Sequence, residues 1–197
     1  MTENLNLKKK ATAKDILTRK PKKKVDGPYV AFIPKDGELT VQFLSEPFEW
    51  LPCFQVWTGS NYVTLEHDDD AWDEIEEEYG KKPSVRFLAP ALDPKEAKVI
   101  VVQLTSGLAK DLLEFGTRKD ADITSFTFEL YKTGEGLETR YKFDSERSAV
   151  DIARFQDQLP DLEAVLDRLV NPPSEDELAD DAIADDAPAK PKLRLKK

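Results

Sequence analysis

One run of residues, Lys98 to Leu104 (KVIVVQL), leaves the chain little choice of local structure. It is continuous, apolar and β-branched, as in a central strand buried on both faces. Strands are also predicted for Tyr29 to Ile33, for Leu39 to Phe43 after a Lys35-Asp36-Gly37 turn, and for Pro83 to Leu88. Strict alternation puts Leu39, Val41 and Phe43 towards the core. Phe48 to Leu65, broken at Pro52 and Gly59-Ser60, reads as a long bent strand or a hairpin. Asp68 to Tyr79 reads as a short helix, with Trp72, Ile75 and Tyr79 on one face.

After the buried run, Thr105 or Ser106 can cap a helix reaching Phe115, with Gly116 as its stop signal. Ile123 to Lys132 and Leu137 to Phe143 then form a hairpin around Thr133-Gly134-Glu135-Gly136. Asp161 to Val170 is an amphipathic helix, ended by Asn171-Pro172-Pro173. This order predicts a mainly β fold with minor α: a five-stranded Greek-key barrel of the OB type, with one helix between strands three and four and another at the C-terminal end.

A length of 197 residues, 40% hydrophobic and 35% charged, suits one domain with solvated ends. The boundaries expected are a flexible basic arm over 1–27, a domain over 28–171 with an acidic insertion at 66–80, and a disordered charged tail over 172–197. No apolar run is long enough to span a bilayer and no apolar signal core opens the chain, so a soluble, cytoplasmic protein is expected. Cys53 and His67 are the sole cysteine and histidine, too few for a structural zinc site. Cys53 lies in an apolar, aromatic stretch and reads as a buried, inert thiol. Neither a nucleophile triad nor a phosphate-loop spacing is present, so no enzymatic activity, metal or cofactor is predicted.

Charge is segregated along the chain. Met1 to Val25 holds nine basic residues against Glu3 and Asp15, Glu66 to Glu78 holds nine acids and no Lys or Arg, and Glu175 to Asp186 holds seven more acids without a base. The last ten residues turn basic again, with Lys190, Lys192, Arg194, Lys196 and Lys197. A net charge of -10 therefore coexists with a strongly cationic arm, and acidity is no argument against a polyanionic ligand.

Single-stranded nucleic acid is held by rings on which bases stack and by cations along a groove. Trp50, Trp57, Tyr62 and Tyr131 are the ring candidates, and Arg86, Lys132, Arg140 and Lys142 the cationic ones. Phe43, Phe87, Phe126, Phe128 and Phe143 are assigned to the core.

With these residues in view, the sequence resembles the OB-fold single-stranded-DNA-binding (helix-destabilising) proteins of tailed bacteriophages. The likeness rests on Gly37 to Pro47 (GELTVQFLSEP) with Glu49-Trp50, on Tyr62 with Glu66-His67, on Pro83 to Leu88, and above all on Lys132 to Tyr141 (KTGEGLETRY). That last run resembles the family's Gly-x-Gly-Leu-x-Thr-x-Tyr hairpin. The resemblance implies a protein that coats unwound DNA in replication, recombination or repair in the infected cell, and recruits partner enzymes through an acidic tail. Lys8, Lys9 and Lys10, followed by Ala11 and Thr12, look like the arm by which some members self-associate, interrupted here by the alanine. Two departures stand out: the zinc ligands of some relatives are missing, and the tail continues past its acids to Lys197. A second expectation from the same charge pattern is a phage-encoded adaptor that docks on a host polymerase or another replication enzyme, with the barrel as scaffold.

Overall fold

The computed structural model describes residues 29–172 apart from 120 and 135–137. The strands are β1 (Val30–Phe32), β2 (Glu38–Phe43), β3 (Leu51–Trp57), β4 (Tyr62–Glu66), β5 (Ser84–Asp93), β6 (Lys98–Thr105), β7 (Phe126–Thr133) and β8 (Arg140–Arg147). The α-helices are α1 (Trp72–Tyr79), α2 (Ser106–Lys119) and α3 (Leu162–Val170), with short 3-10 turns between elements. Among the described residues no helix is long and apolar enough to cross a membrane. The expected arm over 1–27 and the tail beyond Pro172 lie outside the described residues.

All eight strands join one open, mixed sheet in the order β1-β6-β5-β2-β7-β8, with β3 and β4 branching from β5. This corrects the expected mainly β, five-stranded OB-type barrel: the fold is mixed α/β and no barrel closes. The cause lies in β5, which continues through Pro90 to Asp93, well past the expected end at Leu88. On one edge β5 pairs with β6 from Arg86↔Thr105 to Asp93↔Lys98. On the other it serves β3 up to Leu51↔Leu88 and then β2 from Phe43↔Ala91. Pro90 stands at the changeover, where its missing N–H is not needed, while its carbonyl accepts from the Leu44 N–H at 2.9 Å. The sheet forks there, and its end strands β1 and β8 do not pair with each other.

β6 is covered on both faces, as its composition requires. Ile100, Val102 and Leu104 join a core with Val41, Phe43, Phe128 and Leu130, over which α2 lays Leu108 and Leu112. Val101, on the opposite face, packs with Leu88 and Cys53 under Val165 and Leu166 of α3. α1 covers Phe54 and Val56 with Ile75. Phe115 extends the main core edge-to-face with Phe126, Phe128 and Phe143. Gly116 does not stop α2, which runs on to Lys119. Glycine suits a close approach there, since an added Cβ would lie 3.1 Å from the Ile123 side chain and push it aside.

Two polar contacts fasten the later chain to the sheet. Gln42, buried in β2, donates from Nε2 to the carbonyls of Thr124 (2.6 Å) and Val150 (3.3 Å) and accepts from Ser148 Oγ (2.6 Å). Glu46 faces Asp122; desolvation first, and then the hydrogen bond and charge of Asp122, push its carboxyl up to about 7. Desolvation also raises Asp122, but the hydrogen bonds from Thr124 and Glu46 outweigh it and leave that group below its ordinary value. Glu46 thus holds the shared proton.

Gln42→Leu strands two carbonyls and a hydroxyl and is expected to cost about 2–3 kcal/mol in urea unfolding. The folded state keeps the Glu46 proton between about pH 4.5 and 7, where the unfolded chain has released it. Stability therefore falls as pH rises through that window. Urea midpoints at pH 5 and 7.5 should show the drop, and Glu46→Gln should reduce it.

Candidate nucleic-acid interface

The β3–β4 hairpin, together with β5 and β6, presents an outward face on which cross-strand rows can be followed from the register. Tyr62 lies opposite Trp57, Thr64 opposite Gln55, and Gln55 opposite Ser84. Cys53 lies opposite Arg86, Arg86 opposite Thr105, and Gln103 opposite both Leu88 and Phe32. α3 covers the Leu88 end of this face and leaves the rest open. The hairpin is closed by Thr58 and Asn61: the Thr58 N–H donates to the Asn61 carbonyl at 3.0 Å and its hydroxyl to Asn61 Oδ1 at 2.7 Å.

The open part is the floor of a cleft of about 560 Å³. Tyr62 stands at its rim with its ring centroid 4.9 Å from that of Trp57, and the two are 58% and 39% exposed. Exposure of that size leaves ring surface free for a planar ligand. One wall is the tip of the β7–β8 hairpin, where Lys132 pairs with Tyr141 and holds its Nζ 5.3 Å from the ring centroid. The other wall is the end of α3, with Leu169, Val170 and then Pro172. Gly134 permits the hairpin turn: its φ is +79°, and a side chain there would collide with the Glu138 carbonyl. Among the described residues, those lining the cleft include Arg86 and Lys132 and no carboxylate. In a protein of net charge -10 this is a local reversal of sign.

The structure divides the residues singled out from the sequence. Tyr62, Arg86 and Lys132 come together in the cleft lining, and Trp57 stands beside it through its ring contact with Tyr62. Trp50 does not: it is 4% exposed, packed 4.9 Å from the Phe43 ring, with its indole N–H donating to the Ser45 carbonyl at 3.3 Å. It offers no ring to a ligand. Tyr131, Arg140 and Lys142 also stand apart, because neighbours along a strand face opposite ways. Their rows on the far side of the hairpin, Tyr131↔Lys142 and Thr133↔Arg140, continue into Glu129↔Asp144. Partial desolvation, followed by the Asp144 carboxylate that accepts the Tyr131 hydroxyl, raises that phenol's pKa. Carboxylates are thus interleaved with the cations on that side. Lys8, Lys9 and Lys10 lie outside the described residues.

Sequence reasoning missed Tyr141, Gln55 and Gln103. Tyr141 was hidden by the register: a four-residue loop would set Leu137 opposite Lys132, whereas six residues separate the paired Thr133 and Arg140 and bring Tyr141 there. The two glutamines gave no signal, because their function depends on the strand pairing. Among the described residues, no group of three or more His, Cys, Asp or Glu side chains is placed to hold a metal ion. Cys53 is fully buried, and desolvation pushes its thiol up to about 11.

Comparison of the chain with protein-family models, curated proteins and solved structures finds no match. The reading of the cleft therefore rests on its own geometry.

Burial predicts a sharp contrast between two tryptophans. Trp50→Ala should cost about 3–5 kcal/mol in urea unfolding, as for a large core aromatic. Trp57→Ala should cost well under half as much.

Proposed function

We propose that this chain binds single-stranded DNA without sequence preference, coating unwound strands, and that the cleft is where the strand lies. The observation that carries the reading is the cleft itself: the exposed ring of Tyr62, packed near that of Trp57, beside Arg86 and Lys132, with no carboxylate among the described residues of the lining. Rings flanked by cations are what an unpaired polynucleotide needs, because every base has a π face and every linkage a negative charge. Neither requirement depends on a closed barrel. The sequence resemblance described above supports the same reading, as does the basic arm, which adds nine positive charges at one end of the chain. The acidic stretch from Glu175 to Asp186 is then the segment offered to partner enzymes.

The test is a titration of the full chain with oligo-dT, followed by tryptophan fluorescence over a range of salt. Binding should weaken with salt by about 0.7 in log-log slope for each phosphate neutralised. Arg86→Ala and Lys132→Ala should each lower that slope by about 0.7, and Tyr62→Ala should cost about 1–3 kcal/mol of affinity. Lys142→Ala, on the other side of the hairpin, should change the slope little. No binding, or binding insensitive to salt, overturns the proposal and leaves the adaptor reading in its place.

A further inference from the structure

Arg86 reaches the cleft with its orientation set from below. Its Nε–H donates to Gln55 Oε1 at 3.0 Å, Gln55 Nε2 donates to Gln103 Oε1 at 3.1 Å, and Gln103 Nε2 approaches Cys53 Sγ at 4.0 Å. The polarity of this relay is forced. A guanidinium has only donors, so Gln55 must turn its oxygen to Arg86 and its amide nitrogen to Gln103. Gln103 must then present its own oxygen and leave its nitrogen for the thiol, a weak acceptor. Cys53 and Gln103 are buried beneath the exposed part of the face, so the inner end of the relay is fixed by packing.

With Nε engaged, the four remaining N–H groups of Arg86 form a flat fork. The ion pairs found among the described residues are Lys82–Glu76, Lys110–Glu114 and Arg118–Glu114, so no carboxylate there claims this fork. A cation held still and left unmatched in a cleft is prepared for an anion from outside.

We infer that Gln103 is a positioning residue of the cleft: through Gln55 it holds the Arg86 guanidinium as a preset two-pronged clamp for the phosphate oxygens of a bound strand. The inference rests on the reading of the cleft given under the proposed function. It adds that affinity depends on a side chain too deep to touch the ligand.

The experiment pairs binding with a readout that needs no ligand. In the free, full-length protein the Arg86 Nε–H resonance, assigned by its loss in Arg86→Ala, should exchange slowly with water. Gln103→Leu, which keeps the bulk and removes the amide, should make it exchange fast. Gln55→Leu, which removes the middle link at a half-buried position, should do the same. Gln103→Leu should weaken oligo-dT binding about three- to tenfold, the effect of one lost hydrogen bond. In an Arg86→Ala background it should add nothing, because the group it positions is gone. Weakening by the same factor in that background, or an Nε–H signal unmoved by Gln103→Leu, overturns the inference. If the wild-type chain fails to bind oligo-dT while the signal still responds to Gln103→Leu, the functional reading falls and the relay stands.

Discussion

β5 has strand partners along both edges, and the position of every other element follows from where those partners change. Its pairing with β6 from Arg86 to Asp93 makes the spine of the sheet. Its other edge is divided between two strands that do not continue each other, β3 before Pro90 and β2 after it. A residue without an N–H weakens an uninterrupted ladder but suits such a junction. The fork separates a half built on β2, β7 and β8, packed under α2, from a half built on β3 and β4, packed between α1 and α3.

The cleft is a product of that division. The outward face of β3, β4 and the start of β5 is half covered by α3, and the uncovered remainder carries polar side chains and rings. Folding alone gives no reason to leave Tyr62 and Trp57 exposed beside two unmatched cations, when a chain with this many acids could have supplied counter-charges. Among the described residues the acids gather on the outer face of the β7–β8 hairpin and along α1, while Glu66 ends the row of Cys53 and Arg86 without lining the cleft. Charge is sorted in space as it is in sequence.

Features set by local patterning could be read from the sequence. The β-branched run of β6, the alternation in β2, the Asp161 cap of α3 and the existence of the β7–β8 hairpin, though not its register, each depend on residues close together in the chain. What escaped depended on distant partners. Gly116 resembles a helix stop until Ile123 is seen against it. Trp50 resembles a platform until Phe43 is found packed on its ring. Barrel closure could not be judged without knowing that β5 runs ten residues and serves three neighbours. Tyr131 and Lys132 are adjacent in sequence, yet the pleat sends them opposite ways.

An open sheet has free margins, and here two of them are poor templates. β1 is three residues long, and β8 carries a charge at Arg140, Lys142, Asp144, Glu146 and Arg147. Short or charged margins discourage strand-to-strand fusion between molecules. Copies of this chain can therefore crowd together at high concentration without zipping their sheets into a fibre.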